Sequence, residues 1–366
     1  MSLIVYRGIF MFQTSITQGS HTCFTNAGAC SRSLPIGSAN TSYLNVAAKS
    51  ALIACAWALA VAVPAAAQNF PAKAMRVVSS AGAGSGSDAL LRQVSAQMAR
   101  DLKQDISVDN KPSAGSASSA SDVLNAAPDG HSLLAADNGA MAFTAALYKK
   151  PPFDPAALAP IGVMARAPVL LVSHPGAGFK HVRDMLEKAK SQPTKLAYAS
   201  PPAGSLFHVT MELLKNRAAV PFVRVPFGSD AAALKDLLGG QVDLAAIDLP
   251  SAMPHIRSGK LQVLATFSAK RTNAAPDAPA LAELGFKDID AYIWQSLAVP
   301  AATPKEIQVR LSTSMQTALG SNAVRKAATD NGWEILASDP SLMIALIAAD
   351  ARIWQRLIKE IGVTLD

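Results

Sequence analysis

From residue 75 onward, short apolar and β-branched runs alternate with stretches whose apolar positions recur every three or four residues. Residues 75–80, 106–110 and 133–136 have the length and composition of strands, and residues 88–102 and 116–125 between them have helical spacing. In the first of these helices Leu91, Val94, Met98 and Leu102 form one apolar face, while Arg92, Gln93, Gln97 and Arg100 fall elsewhere. This alternation predicts parallel strands joined by right-handed helical crossovers, with ligands bound beyond the carboxyl ends of the strands. A second series repeats the rhythm, with strands at 169–173, 196–199, 222–226 and 244–247 and helices at 182–190, 205–217 and 231–238.

The proline-rich stretch Lys149-Lys150-Pro151-Pro152-Phe153-Asp154-Pro155 separates the two series. A strand-like run at 292–299 is followed by helical stretches at 304–319, 322–331 and 340–361, which are expected to return to the first series. In the last of them Leu342, Leu346, Ala349, Ile353, Leu357 and Ile361 make a stripe that predicts a packing face, with Trp354 in the core or between the lobes. The expected fold class is α/β: a two-lobed, periplasmic-binding-protein-like architecture in which each lobe is a mostly parallel sheet flanked by helices. Lobe one covers residues 68–164 plus 295–366, and lobe two residues 165–294.

The first 67 residues differ in character: they hold all three cysteines and no Asp or Glu. Lys49 precedes an apolar run that ends in Ala65-Ala66-Ala67, the pattern of a cleavable secretory signal cut after Ala67, and residues 1–48 suggest a start codon assigned too far upstream. A lipoprotein box at Leu52-Ile53-Ala54-Cys55 is the competing reading, opposed by how much of the apolar run follows it. Export to the periplasm would leave a cysteine-free mature chain held together by packing alone. Arg7, Arg32 and Lys49 account for three units of the formal charge of +7, and the remaining charges are interspersed, which argues against a nucleic-acid partner. A monomer is expected.

The loops that follow strands carry the candidate chemistry. Ala81-Gly82-Ala83-Gly84-Ser85-Gly86-Ser87 opens the first helix, where free N–H groups and the positive end of the helix dipole suit a carboxylate or phosphate. The alternative is a flexible connection. Ala199-Ser200-Pro201-Pro202-Ala203-Gly204-Ser205 repeats the arrangement in the second series, so a ligand with two polar ends can bridge the loops. The expected ligand contacts are Gly84, Ser85, Gly86, Ser87 and Asp88 from the first loop, and Ser200, Pro201, Ala203, Gly204, Ser205 and His208 from the second. Asp137, Asn138 and Gly139 follow the third strand, and Phe227 and Asp248 follow strands of the second series. Asp137 and Asp248 can pair with a ligand ammonium group or a cation, or simply cap the next helix, and His208 is either a ligand contact or a structural hydrogen-bonding group.

Enzymatic readings find less support. Gly82 and Gly84 followed by Asp109 suggest a dinucleotide unit, but Ser87 stands at the third glycine position. The chain has no Gly-Lys-Ser/Thr phosphate loop, Gly-x-Ser-x-Gly elbow or His-Glu-x-x-His pair. Ser205, His208 and Asp248 lack any spacing that demands a hydrolase. No catalytic residue, metal or cofactor is expected, and the alternatives kept are an exported dinucleotide-binding oxidoreductase and a ligand sensor for a two-component system.

Longer motifs narrow the choice: Asn110-Lys111-Pro112 with Ala114-Gly115, Ala127-Pro128-Asp129-Gly130, Leu147-Tyr148-Lys149-Lys150, and above all Asp236-Leu237-Leu238-Gly239-Gly240-Gln241-Val242-Asp243-Leu244. Further matches are Asp248-Leu249-Pro250-Ser251-Ala252, Ser268-Ala269-Lys270-Arg271 and Thr303-Pro304-Lys305-Glu306. Through them the mature chain resembles the Bug family, the extracytoplasmic substrate-binding proteins of tripartite tricarboxylate transporters. The resemblance implies a flytrap fold, a small carboxylate held by amides, hydroxyls and water around 84–88 and 199–205, and integral membrane subunits as partners. Both loops depart from the usual family pattern, and Pro201 and Pro202 remove two backbone donors from the second.

Overall fold

The computed structural model describes residues 70–193 and 195–365, all within the unit Pro64–Asp366. The targeting segment and its cleavage site lie outside the described residues. The first lobe opens with β1 (Met75–Ser79), α1 (Gly86–Leu102), β2 (Ile106–Asn110), α2 (Ala117–Leu124) and β3 (Ser132–Ala136). A wide helical turn at Gly139–Phe143 runs into the short α3 (Thr144–Leu147). β1 pairs in parallel with both β2 and β3, as the alternation predicts.

β4 (Leu158–Ser173) is a 16-residue strand that starts well before the predicted run at 169–173. Its first half pairs antiparallel with β9 (Tyr292–Pro300), through Pro168↔Tyr292. From Val169 it pairs with β7 (Leu244–Asp248), and from Leu170 also with β8 (Gln262–Thr266). One strand thus carries the chain from one sheet into the next. Between those partners run α4 (Val182–Ser191), β5 (Ala197–Ser200), α5 (Leu206–Ala218), β6 (Val223–Pro226), α6 (Asp230–Leu238) and, after β7, α7 (Leu249–Arg257). β5 pairs in parallel with β6 and β7.

The chain returns through β9, which pairs antiparallel with β3, and finishes with α8 (Lys305–Gly320), α9 (Asn322–Asp330), β10 (Glu334–Ile335) and α10 (Pro340–Ile361). The strand order is β2-β1-β3-β9-β4-β7-β5-β6, with β8 and β10 also on β4. Parallel βαβ units therefore form the outer parts of both sheets, and antiparallel crossing strands join them.

α10 keeps part of the expected stripe: Leu357 is buried, Leu346 and Ile361 are partly buried, and Trp354 lies in the core as expected. Leu342 and Ile353 are exposed, however, while Met343 and Ile358 are buried instead. Apolar residues occupy two adjacent stripes of this helix, and contact with Phe143, whose ring centroid lies 5.6 Å from that of Trp354, is made by the second of them.

Candidate functional site

Four helices follow strands; the starts of α1, α5 and α6 bring residues to one cavity, and the start of α7 lines a neighbouring hollow. Ser85 caps α1 by accepting from the Asp88 N–H at 3.2 Å, and Ser205 caps α5 by accepting from the His208 N–H at 3.3 Å. Ser229 caps α6, and Asp248 caps α7 by accepting from the Ser251 N–H at 2.8 Å. Each cap satisfies an otherwise orphan amide and fixes where the helix begins.

The cavity between these loops has a volume of about 40 Å³, and the acidic residues in its wall are Asp137 and Asp230. Of the expected contacts it gathers Ser87, Asp137, Gly139, Pro201, Gly204 and Ser205. It adds residues the sequence reading missed: Ser80, Ser113, Ser116, Asp230 and Gln295. Ser87 accepts from the Gln295 side-chain amide at 2.9 Å. The narrow volume follows from bonds across the cleft. The Gly82 N–H donates to Asp230 Oδ1 at 2.9 Å, the Gly86 N–H to Ser251 Oγ at 2.8 Å, and the Gly115 N–H to the Ala203 carbonyl at 3.1 Å.

The other expected contacts are committed elsewhere. Gly84, Ser85 and Gly86 line a separate hollow of about 180 Å³ with Pro250, His255 and Trp333. Asp88 turns away from the cleft to accept from the Gly84 N–H, Arg92 and Asn110. Desolvation raises its pKa, but these hydrogen bonds and the Arg92 charge outweigh it and leave the carboxyl below its ordinary range. Asn138 bonds to the Tyr292 carbonyl, the Trp294 N–H and Asp350. Ser200 accepts from Arg224 Nε at 2.9 Å, and Phe227 packs against the apolar cluster of Leu237 and Ile247. Ala203 takes part through its carbonyl. His208 holds the second loop by accepting from the Gly204 N–H at 3.1 Å, and burial pushes its pKa down to about 4, so the ring is neutral. The anion site expected on the first loop's amides is therefore corrected: Gly82, Gly84 and Gly86 already donate to protein oxygens.

Asp248 is 1% exposed, and burial pushes its carboxyl up to about 6, with the nearby Asp230 adding to the rise and Ser251 hydrogen bonds opposing it. The folded protein holds this proton more tightly than the unfolded chain, whose carboxyl titrates near 3.8, so the stability linked to it is full below about pH 4 and lost through about pH 6. Asp248→Asn keeps the cap and removes the titration. Urea unfolding at a series of pH values should show the variant gaining on the wild type by on the order of 3 kcal/mol between pH 4 and 7. A constant difference would mean that Asp248 is not held protonated.

Strand-to-helix loops of two α/β lobes facing one cleft define a solute-binding protein of the periplasmic-binding-protein fold. The family model described as "Tripartite tricarboxylate transporter family receptor" matches residues 90–363, and the chain belongs to that family. A UPF0065 protein of Bordetella pertussis is 30% identical over 268 residues, 73% of this chain and 83% of its own. The solved periplasmic binding protein BugD superposes with a TM-score of 0.77 at 28% identity, covering 81% of this chain and all of BugD. MatC from Rhodopseudomonas palustris, solved with bound malate, superposes with a TM-score of 0.75 at 28% identity, covering 79% of this chain and all of MatC. Receptors of this family are binding proteins rather than enzymes.

Proposed function

We propose that the chain is exported by a signal cut after Ala67 and acts as a monomeric periplasmic receptor, without a catalytic step or cofactor. Its two lobes, residues 68–164 plus 295–366 and residues 165–294, close on one small carboxylated solute and deliver it to the integral membrane subunits of a tripartite transporter. The observation that carries this reading is the cleft, where small residues from the starts of α1 and α5 meet across a cavity rimmed by hydroxyls. The carboxylate in MatC gives the ligand class. Ser87, Gly139, Gly204 and Ser205 contact the solute, and lobe motion opens the cavity to admit it.

The test is a thermal-shift screen of the purified protein against mono-, di- and tricarboxylates, amino acids and nicotinamide dinucleotides. Ligand at a hundred times its dissociation constant stabilises by about 2.7 kcal/mol, which for a protein of this size is roughly 5–10 °C. One saturable site for a carboxylate, seen by calorimetry, is the expected outcome. Stabilisation by a dinucleotide alone would overturn the receptor reading.

A further inference from the structure

The end of α10 is fastened to both lobes. Its middle turns belong to lobe one: Asp350 accepts from Trp294 Nε1 at 2.8 Å, and the Gln355 side-chain amide donates to the Ala142 carbonyl at 3.0 Å. Beyond the helix, the Leu365 N–H donates to the Leu147 carbonyl at 2.8 Å. The last turn of α10 instead meets α5 of lobe two. Arg217, in the last turn of α5, donates through Nη1 and Nη2 to the two carboxylate oxygens of Glu360 at 2.7 and 3.0 Å. Its Nε donates to Asp288 Oδ2 at 2.6 Å, and Asp288 lies in the connection that leads into the crossing strand β9. One guanidinium thus ties a carboxylate of lobe one to the segment where lobe two hands the chain back. The bonds from Arg217 hold the Glu360 carboxyl below its ordinary range, so the pair is ionised at neutral pH.

Lone exposed ion pairs contribute little, but this one is a two-bond fork shared with a third charge, the arrangement in which arginine binds carboxylates best. Apolar packing beside it is incomplete: an open hollow of about 510 Å³ separates Ile361 from Glu212, Lys215 and Asn216 of α5. Charge therefore carries much of the joint at this point. Leu365 makes a second, independent bridge. Its Cδ1 lies 3.3 Å from the position of a Cβ on Gly115 and 2.8 Å from that of a Cβ on Gly204, one glycine from each lobe. Both glycines have positive φ, and the absence of a side chain at each leaves the notch that Leu365 fills.

Resting on the receptor reading, we propose that the end of α10 is an interlobe clamp, in which the Arg217–Glu360 pair biases the free protein toward its closed form. Arg217 and Glu360 are positioning residues, since neither lines the solute cavity. A contact made only in the closed form raises the population of that form before any solute arrives. The clamp thereby sets how firmly a solute is retained, whichever solute it is.

Ala96 on α1 and Lys235 on α6 are exposed, lie on opposite lobes and flank the hollow that Gln93 and Leu234 line. In the full chain with Cys23, Cys30 and Cys55 replaced by serine, spin labels on Ala96→Cys and Lys235→Cys report the separation of the lobes by electron paramagnetic resonance, with no solute added. Glu360→Gln and Arg217→Gln should each lower the population at short separation roughly threefold or more, within what one good ion pair supplies. The double variant should do no more than either alone. Arg217→Lys keeps the charge and loses the fork, so it should fall between wild type and Arg217→Gln. Salt at about 1 M, where the Debye length is about 3 Å, should reproduce the loss in the wild type and add nothing in the variants. A lowered melting temperature with an unchanged distribution of separations overturns the clamp and leaves an ion pair that only supports the fold. Titration of the labelled protein with the carboxylates of the thermal-shift screen separates the two readings. If a carboxylate draws the labels together while the solute-free variants match the wild type, the clamp alone falls. If neither carboxylate nor variant moves them, the receptor reading falls with it.

Discussion

Gly86→Val is expected to weaken solute binding by more than a hundredfold while the melting temperature changes by only a few degrees. A Cβ built on Gly86 lies 2.7 Å from Pro250 Cβ, 2.8 Å from Asp248 Oδ1 and 2.8 Å from the Ser251 backbone nitrogen. All three atoms belong to β7 or α7, across the cleft from α1. Gly86 is not in the left-handed region, so a side chain strains nothing within its own helix. The clash arises only when the second sheet approaches. The Gly86 N–H bond to Ser251 is lost with it, and Ser251 also donates to Asp248 Oδ2 at 2.9 Å, so the whole start of α7 must shift. A receptor that captures its solute by closing loses the closed form and keeps the fold. Calorimetry beside a thermal melt separates the two effects, and unchanged affinity would mean that the bound lobes do not meet at Gly86.

The parallel units were legible in the sequence because their signals are local. Apolar spacing gave α1, while the caps of α1 and α5, Ser85 and Ser205, emerge only from the structure. The first half of β4 was hidden because Pro160, Gly162 and Pro168 interrupt a run that reads as punctuation. The strand tolerates them through register shifts between Pro160 and Gly162 and between Val163 and Ala165. Gly162 is required there, since a Cβ would lie 2.4 Å from the Ser338 carbonyl oxygen. α7 was legible only as the helix that Asp248 could cap, because Pro250 in its first turn and Pro254 inside it hide its spacing. Asp230 had a signal that went unused: like Ser87, it sits where a strand gives way to a helix. Read alone, an acid in a helix's first turn only complements the dipole, and its reach to Gly82 is a fact of tertiary structure.

Asn138→Ala is expected to cost roughly 3–5 kcal/mol, the range for breaking a buried hydrogen-bond network, and to lower the melting temperature by about 10 °C. Asn138 is 1% exposed and ties three elements together. Its amide donates to the Tyr292 carbonyl at 3.2 Å and to Asp350 of α10, and its oxygen accepts from the Trp294 N–H at 3.1 Å. Trp294 Nε1 closes the circuit by donating to Asp350 at 2.8 Å. Burial raises the pKa of Asp350, and the Trp294 and Asn138 hydrogen bonds counter that rise. Alanine strands the Trp294 N–H and leaves the carboxyl with a single donor, two penalties incurred together. Asn138→Asp should be worse, because it sets a second carboxylate against Asp350 and removes the amide donor. Urea unfolding measures the cost directly, and calorimetry on the surviving folded fraction reads binding. An alanine variant of native stability that binds solute poorly would return Asn138 to the ligand cleft and show that the joint between β3, β9 and α10 is held by packing instead.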